Sequence, residues 1–523
     1  MALFILMLVP FPAHAEWREA SSDHFVIYGN QSDAEIRTFA DRLERYHAAL
    51  RFVTTVKAEK PSPSNRLTVY VVSSDREVQE LYGTQSSMLK GFYVPRAGGS
   101  IAIAANDENR KGFFDLSPSM FYLLHEYAHH YTLSTNAFPW PKWMSEGVAE
   151  FFAAAKFERD GTVSVGRPSQ QRAAELAWAE TVPIEEIFDA ALYAKGAGAK
   201  KAYDEFYGRS WLLYHYLSFE PARKGQLETY QKSLARGRTS LESAKQAFGD
   251  LKVLDRELDS YRKRRKLSAF FLTPEKLTVS PITVRELGKG EAAAMPLQMR
   301  SRVGVDDERA EVLVAKARQL AKLYPDDPAV LSVLAEAEFD AGDDAAAIAA
   351  ADRALAIDPA RVNAYIQKGY ALFRIAEDAS DADSAAAYAQ ARRPFIALNR
   401  IENDHPLPLI YFYRSFVEQG LAPSDIAKQG LARAAQLAPF DIDLHMTLAM
   451  MYLRDEKLDF ARSELRPVAY APHGGGFATM AQTILAGIES GTIKGGPSFD
   501  PTSYMPHLED AESETPDTLT AEG

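Results

Sequence analysis

Residues 125–129 read His-Glu-Tyr-Ala-His, and the fold of the first half of the chain is best understood outward from them. Residues four apart on an α-helix lie on one face about 6 Å apart, so the imidazoles of His125 and His129 can reach one cation. At about 100° per residue, Glu126 falls roughly 60° from His129 on the same side. A carboxylate at that position lies beside a bound metal, where it can accept a proton from water. The pentapeptide therefore predicts a catalytic metal site on a helix.

The flanking residues predict two helices joined by a turn. Ser117-Pro118 places a capping residue before proline at the first helical position, and apolar residues then recur at helical spacing to about Leu133. Pro139 and Pro141 end that pattern, and a second helix is expected from 141 to about 157.

The second helix offers the third metal donor. Residues 143–152 read Trp-Met-Ser-Glu-Gly-Val-Ala-Glu-Phe-Phe, and Glu146 lies 17 residues after His129, enough for the first helix to end and the chain to return antiparallel. Catalytic zinc uses three protein ligands and one open position. Here the sequence resembles the gluzincin metallopeptidases, in particular the peptidase-MA-like group, which combine H-E-x-x-H with a downstream W-x-x-E-G-x-A-E.

The resemblance implies one Zn²⁺ ion held by His125, His129 and Glu146, with Glu126 as general base and acid in peptide-bond hydrolysis. It also implies that Glu150, one turn beyond Glu146, is an acidic partner of a ligand histidine. The implied fold is an α+β zincin-like metallopeptidase domain.

One further catalytic residue is expected from the same resemblance. Tyr207, in Phe-Tyr-Gly-Arg-Ser-Trp at 206–211, opens a helix much like the tyrosine that stabilises the oxyanion in related aminopeptidases. Tyr203 and His215 are nearby rivals for that role. His130 points about 100° away from His129, which favours a packing or solvent-facing role over metal binding.

The region before the motif is of mixed α and β character. Strands are expected at 25–28, 67–72 and 100–104, and a core helix at 33–52. Zincin-like enzymes place an edge strand just upstream of the ligand helix, where it hydrogen-bonds an extended peptide. Residues 91–94 and 100–104 are the candidates, and an ordinary interior strand is the equal alternative.

The second half of the chain predicts an all-α tetratricopeptide-like repeat domain. Pro325 and Pro359 are 34 residues apart, and Pro406, Pro439 and Pro472 mark units of 33. The step of 47 between Pro359 and Pro406 indicates an insertion near residues 379–385. A generic alanine-rich helical bundle is the alternative to such repeats.

Small and proline residues typical of tetratricopeptide repeats recur at Ala335, Gly342, Ala354 and Pro359. The predicted division of the chain is a signal peptide, a peptidase domain, a small connector with some β structure, the repeats and a disordered acidic tail. Their respective ranges are 1–15, 16–265, 266–305, 306–490 and 491–523.

The N-terminal sequence and the composition limit the cellular compartment and the kinds of binding partner that we expect. An apolar run ending in Ala13-His14-Ala15 predicts a secretory signal cleaved after Ala15, and hence a periplasmic or secreted protein with no stable membrane span. The absence of cysteine excludes disulfides and thiolate metal sites. A net charge of −12 opposes nucleic acid as a partner.

The sequence therefore predicts zinc-dependent hydrolysis of an exported or envelope protein or peptide, with the concave surface of the repeats binding substrate or a partner. Two alternatives stay open. One is a protein-interaction scaffold with a catalytically silent zincin fold. The other is a structural zinc, for which His24, His47 or His130 would supply the fourth donor. The identity of the substrate and the endopeptidase or aminopeptidase mode do not follow from the sequence.

Overall fold

The computed structural model describes residues 17–56, 60–107, 116–135, 140–200, 203–471 and 475–500. The predicted signal peptide, Pro139 and Pro472 lie outside these residues. The described chain is mostly helical and contains two β-sheets in its first 286 residues.

The larger sheet has six strands in the order β4-β5-β3-β2-β1-β9. Its pairs β2–β3 and β3–β5 are parallel, and the other pairs are antiparallel. The nine strands of the two sheets are β1 (Arg18–Ser21), β2 (Phe25–Gly29), β3 (Leu67–Val72), β4 (Gly91–Val94), β5 (Ile101–Ala105), β6 (Lys156–Phe157), β7 (Val163–Val165), β8 (Phe270–Leu272) and β9 (Thr283–Glu286). The smaller sheet has the order β6-β7-β8.

Twelve helices accompany these sheets in the described chain up to residue 303. They are α1 (Asp33–Thr54), α2 (Asp75–Tyr82), α3 (Pro118–Thr135), α4 (Lys142–Ala153), α5 (Gln170–Trp178), α6 (Ile184–Phe188), α7 (Ala190–Lys195), α8 (Phe206–Phe219), α9 (Gln226–Ala235), α10 (Ser240–Phe248), α11 (Leu251–Tyr261) and α12 (Lys289–Val303).

Both faces of the larger sheet are buried. Val69 and Val71 of β3 pack in the cluster that contains α1 and α3, whereas Tyr70 and Val72 pack with α2 and α12. Side chains alternate between the faces of a strand, so a strand covered on both sides is apolar at nearly every position. This explains the unbroken run of Leu67–Val72.

The predicted connector 266–305 is not a separate piece. Its strand β8 pairs with β7 and its strand β9 pairs with β1, so each completes a sheet of the first domain. Helix α12, which the sequence pattern did not indicate, covers the sheet with Met295 and Met299. Helix α4 also ends at Ala153, earlier than expected, because the chain turns into the strand Lys156–Phe157.

The second half is a tetratricopeptide-like helical repeat. Consecutive helices pack as antiparallel pairs, α14 with α15, α16 with α17, α18 with α19 and α20 with α21, flanked by α13 and α22. Their bounds are α13 (Asp307–Leu323), α14 (Pro328–Asp340), α15 (Asp344–Ile357), α16 (Val362–Glu377), α17 (Asp381–Ile401), α18 (Pro406–Val417), α19 (Asp425–Leu437), α20 (Ile442–Arg454), α21 (Leu458–Ala469) and α22 (Gly476–Glu489).

The repeat boundaries agree with the proline spacing. Pro325, Pro359 and Pro439 each lie in the turn before the first helix of a pair, and Pro406 is the first residue of α18. The predicted insertion lengthens α17, which has 21 residues. The predicted tail starts too early, because Ile493 is buried against α22. Residues 501–523 lie outside the described chain.

The described helices include none that is long and apolar enough to cross a membrane.

Within the repeats, Gly342 joins α14 to α15 with a φ of 82°, in the left-handed region that side chains disfavour. Ala335 and Ala354 are fully buried where the helices of this pair meet.

We expect Gly342→Ala to lower the stability of the repeats by about 1 kcal/mol, because alanine is strained at this φ. The matched control is Gly430→Ala in α19, where an added methyl meets only ordinary contacts near 3.8 Å. That control should be neutral or stabilising, since alanine favours helix. Chemical denaturation of both variants measures the difference, and equal stabilities would contradict the prediction.

Candidate metal centre

Helices α3 and α4 bring the three predicted ligands together. The Nε2 atoms of His125 and His129 are 3.1 Å apart, and each lies 3.4 Å from Oε2 of Glu146. Tetrahedral zinc with bonds of 2.0–2.1 Å places its donor atoms about 3.3 Å from one another. The donor triangle therefore has the size that zinc requires, and whether metal binds here stays a prediction.

Glu146 is a carboxylate with no exposed surface. Neither of its oxygens accepts a hydrogen bond of good geometry from the described residues. Burial raises the pKa of this carboxyl, but the imidazoles of His129 and His125 outweigh burial and hold the pKa well below its usual value. A buried anion is costly unless a cation or hydrogen bonds compensate it, so the surroundings of Glu146 favour a bound cation.

Each of the two predicted ligand histidines is oriented through its other ring nitrogen. His125 Nδ1 lies 3.2 Å from Oε1 of Glu150, and His129 Nδ1 lies 3.2 Å from Oγ of Ser145. With hydrogen on Nδ1, each imidazole donates outward and presents the Nε2 lone pair to the metal position. Glu150 thus lies where the resemblance placed it, whereas Ser145 was not anticipated.

Arg172 of α5 forms an ion pair with the Glu150 carboxylate. It donates to Oε1 of Glu150 at 3.0 Å and is also paired with Glu175, whose other oxygen accepts from the backbone N–H of Gly208 at 2.7 Å. Burial alone would raise the pKa of Glu150, but the Arg172 charge and the contact with His125 lower it to about 2. The chain of contacts runs from His125 through Glu150 and Arg172 to Glu175.

Close packing of α8 fixes the position of α4. A Cβ on Gly147, directly after Glu146, would lie 2.6 Å from the backbone oxygen of Ser210, so only glycine allows the two helices to approach this closely. On the same helix, Trp143 donates its indole N–H to the Tyr230 hydroxyl at 2.8 Å. These contacts explain the Trp and Gly of the predicted motif as structural residues.

Glu126 lies on α3, the helix that packs against the edge strand β4. Its side chain is nearly buried, and its charge adds to the effect of burial in raising the pKa of the Tyr93 phenol on β4. Of the two candidate edge strands, β4 is the outermost strand of the described sheet, whereas β5 lies between β4 and β3. Strand β4 is therefore the edge strand.

Tyr207 lies in the first turn of α8, with its ring 4.9 Å from the Arg172 guanidinium. Of its rivals, Tyr203 precedes the helix, and His215 is buried between Ser268 and Tyr261. A phenol that the sequence analysis missed is Tyr122, one turn before Glu126 on α3. Burial raises its pKa, and Arg172 and Glu150 lie close enough to modify it further.

The histidines considered as a fourth donor are engaged elsewhere. His24 contacts Glu44 at 2.9 Å and stacks on His47 at 3.6 Å, and His130 bonds the Tyr93 hydroxyl through Nδ1 at 2.7 Å. His130 is buried, so it has the packing role and not the solvent-facing one. Within the described chain, the only group of His, Asp and Glu donors close enough to hold a metal is His125, His129 and Glu146.

A family described as a protein of unknown function, DUF1570, matches residues 123–237, which include all the predicted site residues. No curated protein matches the chain in sequence. Among solved structures, the chain is similar to a thermophilic TPR protein of Thermus thermophilus, with 18% identity, a TM-score of 0.33, and coverage of 38% of this chain and 99% of that one. It is also similar to MamA of Desulfovibrio magneticus, with 18% identity, a TM-score of 0.27, and coverage of 34% and 92%.

We expect graded losses of zinc along the chain of contacts. Glu146→Gln should remove stoichiometric zinc, because it deletes the anionic ligand, and Glu150→Gln should weaken zinc binding about 10–100-fold. His130→Gln, next to a ligand but outside the donor triangle, is the control and should retain one zinc per chain. Competition with a chromogenic chelator measures all three, and equal affinity in Glu146→Gln and the wild type would exclude this site.

Proposed function

We propose that this chain is a zinc-dependent peptidase that hydrolyses an exported or envelope protein or peptide. The observation that carries the proposal is the donor triangle of His125, His129 and Glu146, which has the dimensions of a three-ligand zinc site and no fourth protein donor in the described chain. Three protein ligands leave one coordination position for water or substrate, as in catalytic sites.

When bound, zinc would act as a Lewis acid that makes water acidic and polarises the scissile carbonyl. Glu126 directly follows the predicted ligand His125 on α3, the helix that packs against β4. There it would accept the proton of the attacking water and return it to the leaving amine. Burial of the site excludes bulk water from these transfers.

The edge strand β4 would hold the substrate. An extended peptide can pair with the outer edge of Gly91–Val94 through backbone hydrogen bonds, which give affinity with little dependence on sequence. Tyr93 of this strand bonds His130 of the ligand helix at 2.7 Å, so the strand and the ligand helix are directly connected.

The repeats favour a role in protein interaction, since stacked helical pairs of this type present extended binding surfaces. This supports a second candidate function, a scaffold in which the zincin-like fold is catalytically silent. The two candidates differ in what Glu126 does. A peptidase needs the Glu126 carboxylate as a proton acceptor, whereas a scaffold does not.

We expect Glu126→Gln to lower the rate of peptide cleavage about 10²–10⁴-fold while zinc stays bound, because the amide cannot accept the proton. The measurement is a cleavage profile of a mixed peptide library, with zinc content determined on the same samples. Glu158→Gln, at a half-exposed position of the same domain, is the control and should match the wild type.

Cleavage that is insensitive to both Glu126→Gln and a chelator would contradict the peptidase proposal and favour the scaffold. Collapse of the whole first domain on removal of zinc, without any cleavage by the loaded protein, would instead favour a structural metal.

The two phenols near the centre can be separated by Tyr207→Phe and Tyr122→Phe. If Tyr207 donates to the developing oxyanion, its replacement lowers kcat about 10²–10³-fold and leaves zinc affinity unchanged. Tyr122→Phe should then have little effect on kcat. The reverse result would transfer the role to Tyr122, which the sequence alone did not suggest.

A further inference from the structure

We call the space between the edge strand β4 and helix α3, where an extended peptide would bind, the proposed cleft. The turn between α19 and α20 of the repeats contacts α3 and the loop that follows β4. Two consecutive residues, Phe440 and Asp441, make these contacts. Phe440 packs against the ligand helix α3, and Asp441 bonds the loop that follows the edge strand β4. We refer to Phe440 and Asp441 as the repeat corner.

Asp441 holds the loop after β4 with one carboxylate oxygen. Its Oδ2 accepts from the backbone N–H of Ala97 at 2.8 Å, while its Oδ1 caps α20 by accepting from the N–H of Leu444 at 2.9 Å. Ala97 lies three residues after the last residue of β4 and is buried. The carboxylate therefore joins the start of a repeat helix to the end of the edge strand.

Two hydrogen bonds of Asn65 provide a second connection between the repeats and the loop after β4. Asn65, before β3, donates its side-chain N–H to the backbone oxygen of Leu437 at 2.8 Å and accepts from the N–H of Gly98 at 3.1 Å. Gly98 has a φ of 74°, and a Cβ there would lie 2.7 Å from the ring of His405. The loop after β4 thus contacts the repeats closely at two adjacent residues.

Phe440 reaches the ligand helix. Its ring centroid is 4.5 Å from that of His130, the residue directly after the ligand His129. The same imidazole bonds the Tyr93 hydroxyl of β4 at 2.7 Å. These contacts form a closed circuit. Tyr93 and His130 join β4 to α3, and Phe440 joins α3 to the repeats. Asp441 then joins the repeats to the loop after β4.

We propose that the repeat corner is a positioning element that sets the separation of β4 from α3, so that the repeats determine how well an extended peptide fits the cleft. This inference rests on the proposed function for its substrate. Phe440 and Asp441 act through the strand and the helix that they hold. Mispositioning of a binding edge weakens substrate binding, whereas the metal ligands on α3 and α4 keep their own contacts.

The test is Asp441→Asn. Asparagine keeps the oxygen that caps α20, but its amide group cannot accept from the Ala97 N–H. Hydrogen exchange at residues 91–97 should become about three- to tenfold faster, as expected for the loss of one buried hydrogen bond. KM for an extended peptide should rise by a similar factor, with kcat and zinc affinity unchanged.

Asp343→Asn is the matched control. Asp343 also caps a repeat helix, α15, through the N–H of Ala346 at 3.0 Å, but it lies away from the edge strand. It should leave exchange at residues 91–97 and KM at their wild-type values. Phe440→Leu is the second variant, since leucine keeps an apolar contact with reduced area and should give a smaller change in the same direction.

Equal exchange at residues 91–97 in Asp441→Asn and Asp343→Asn would overturn the inference, and so would faster exchange with an unchanged KM. A fall in zinc affinity in Asp441→Asn would overturn it as well, because the corner would then act on the ligands. If the wild type neither binds zinc nor cleaves peptides, the proposed function fails, and exchange at residues 91–97 still decides whether the corner holds the strand.

Discussion

The burial of one carboxylate determines much of the architecture around the candidate centre. Glu146 has no exposed surface, and a charge in that position is tolerated only where cations or donors surround it. Two imidazoles from the neighbouring helix compensate this charge when they are protonated, and a metal ion would take over that role when they are neutral ligands. The helix pair α3 and α4 is therefore held in one register, since a shift by one residue would leave the charge facing apolar side chains.

The layers beyond this pair can be understood as consequences of that constraint. Gly147 lets α8 approach α4, and Trp143 bonds Tyr230 of α9, so the helix that carries the buried charge is supported along its length. Glu150 adds a second buried anion, which Arg172 balances. The charges of Glu150, Arg172 and Glu175 thus alternate behind the donor triangle, and Arg172 contacts both carboxylates.

Local patterns allowed the sequence to predict that His125, His129 and Glu146 lie together, and to predict the helix pair and the repeats, because helical spacing and proline spacing depend on a few neighbouring residues. The partners that come from distant segments were not predictable in this way. Arg172 resembles any other arginine until α5 packs against α8 and brings the guanidinium to Glu150. His130 was assigned a packing or solvent-facing role, and its bond to Tyr93 exists only because the sheet places β4 against α3. Helix α12 was missed because its apolar residues meet a sheet formed hundreds of residues earlier, and its own periodicity is weak.

The pairing of β1 with β9 has a consequence for how the protein folds during its synthesis. Arg18 is aligned with Glu286, and the helix that covers the far face of the same sheet ends only at Val303. While the chain is being made, the early strands lack one neighbouring strand and one apolar helix until these late residues have been added. Contacts this far apart in sequence form slowly and leave apolar surface exposed in the meantime. The first domain therefore depends on about 300 residues being present together, and its early segments need protection from aggregation until then.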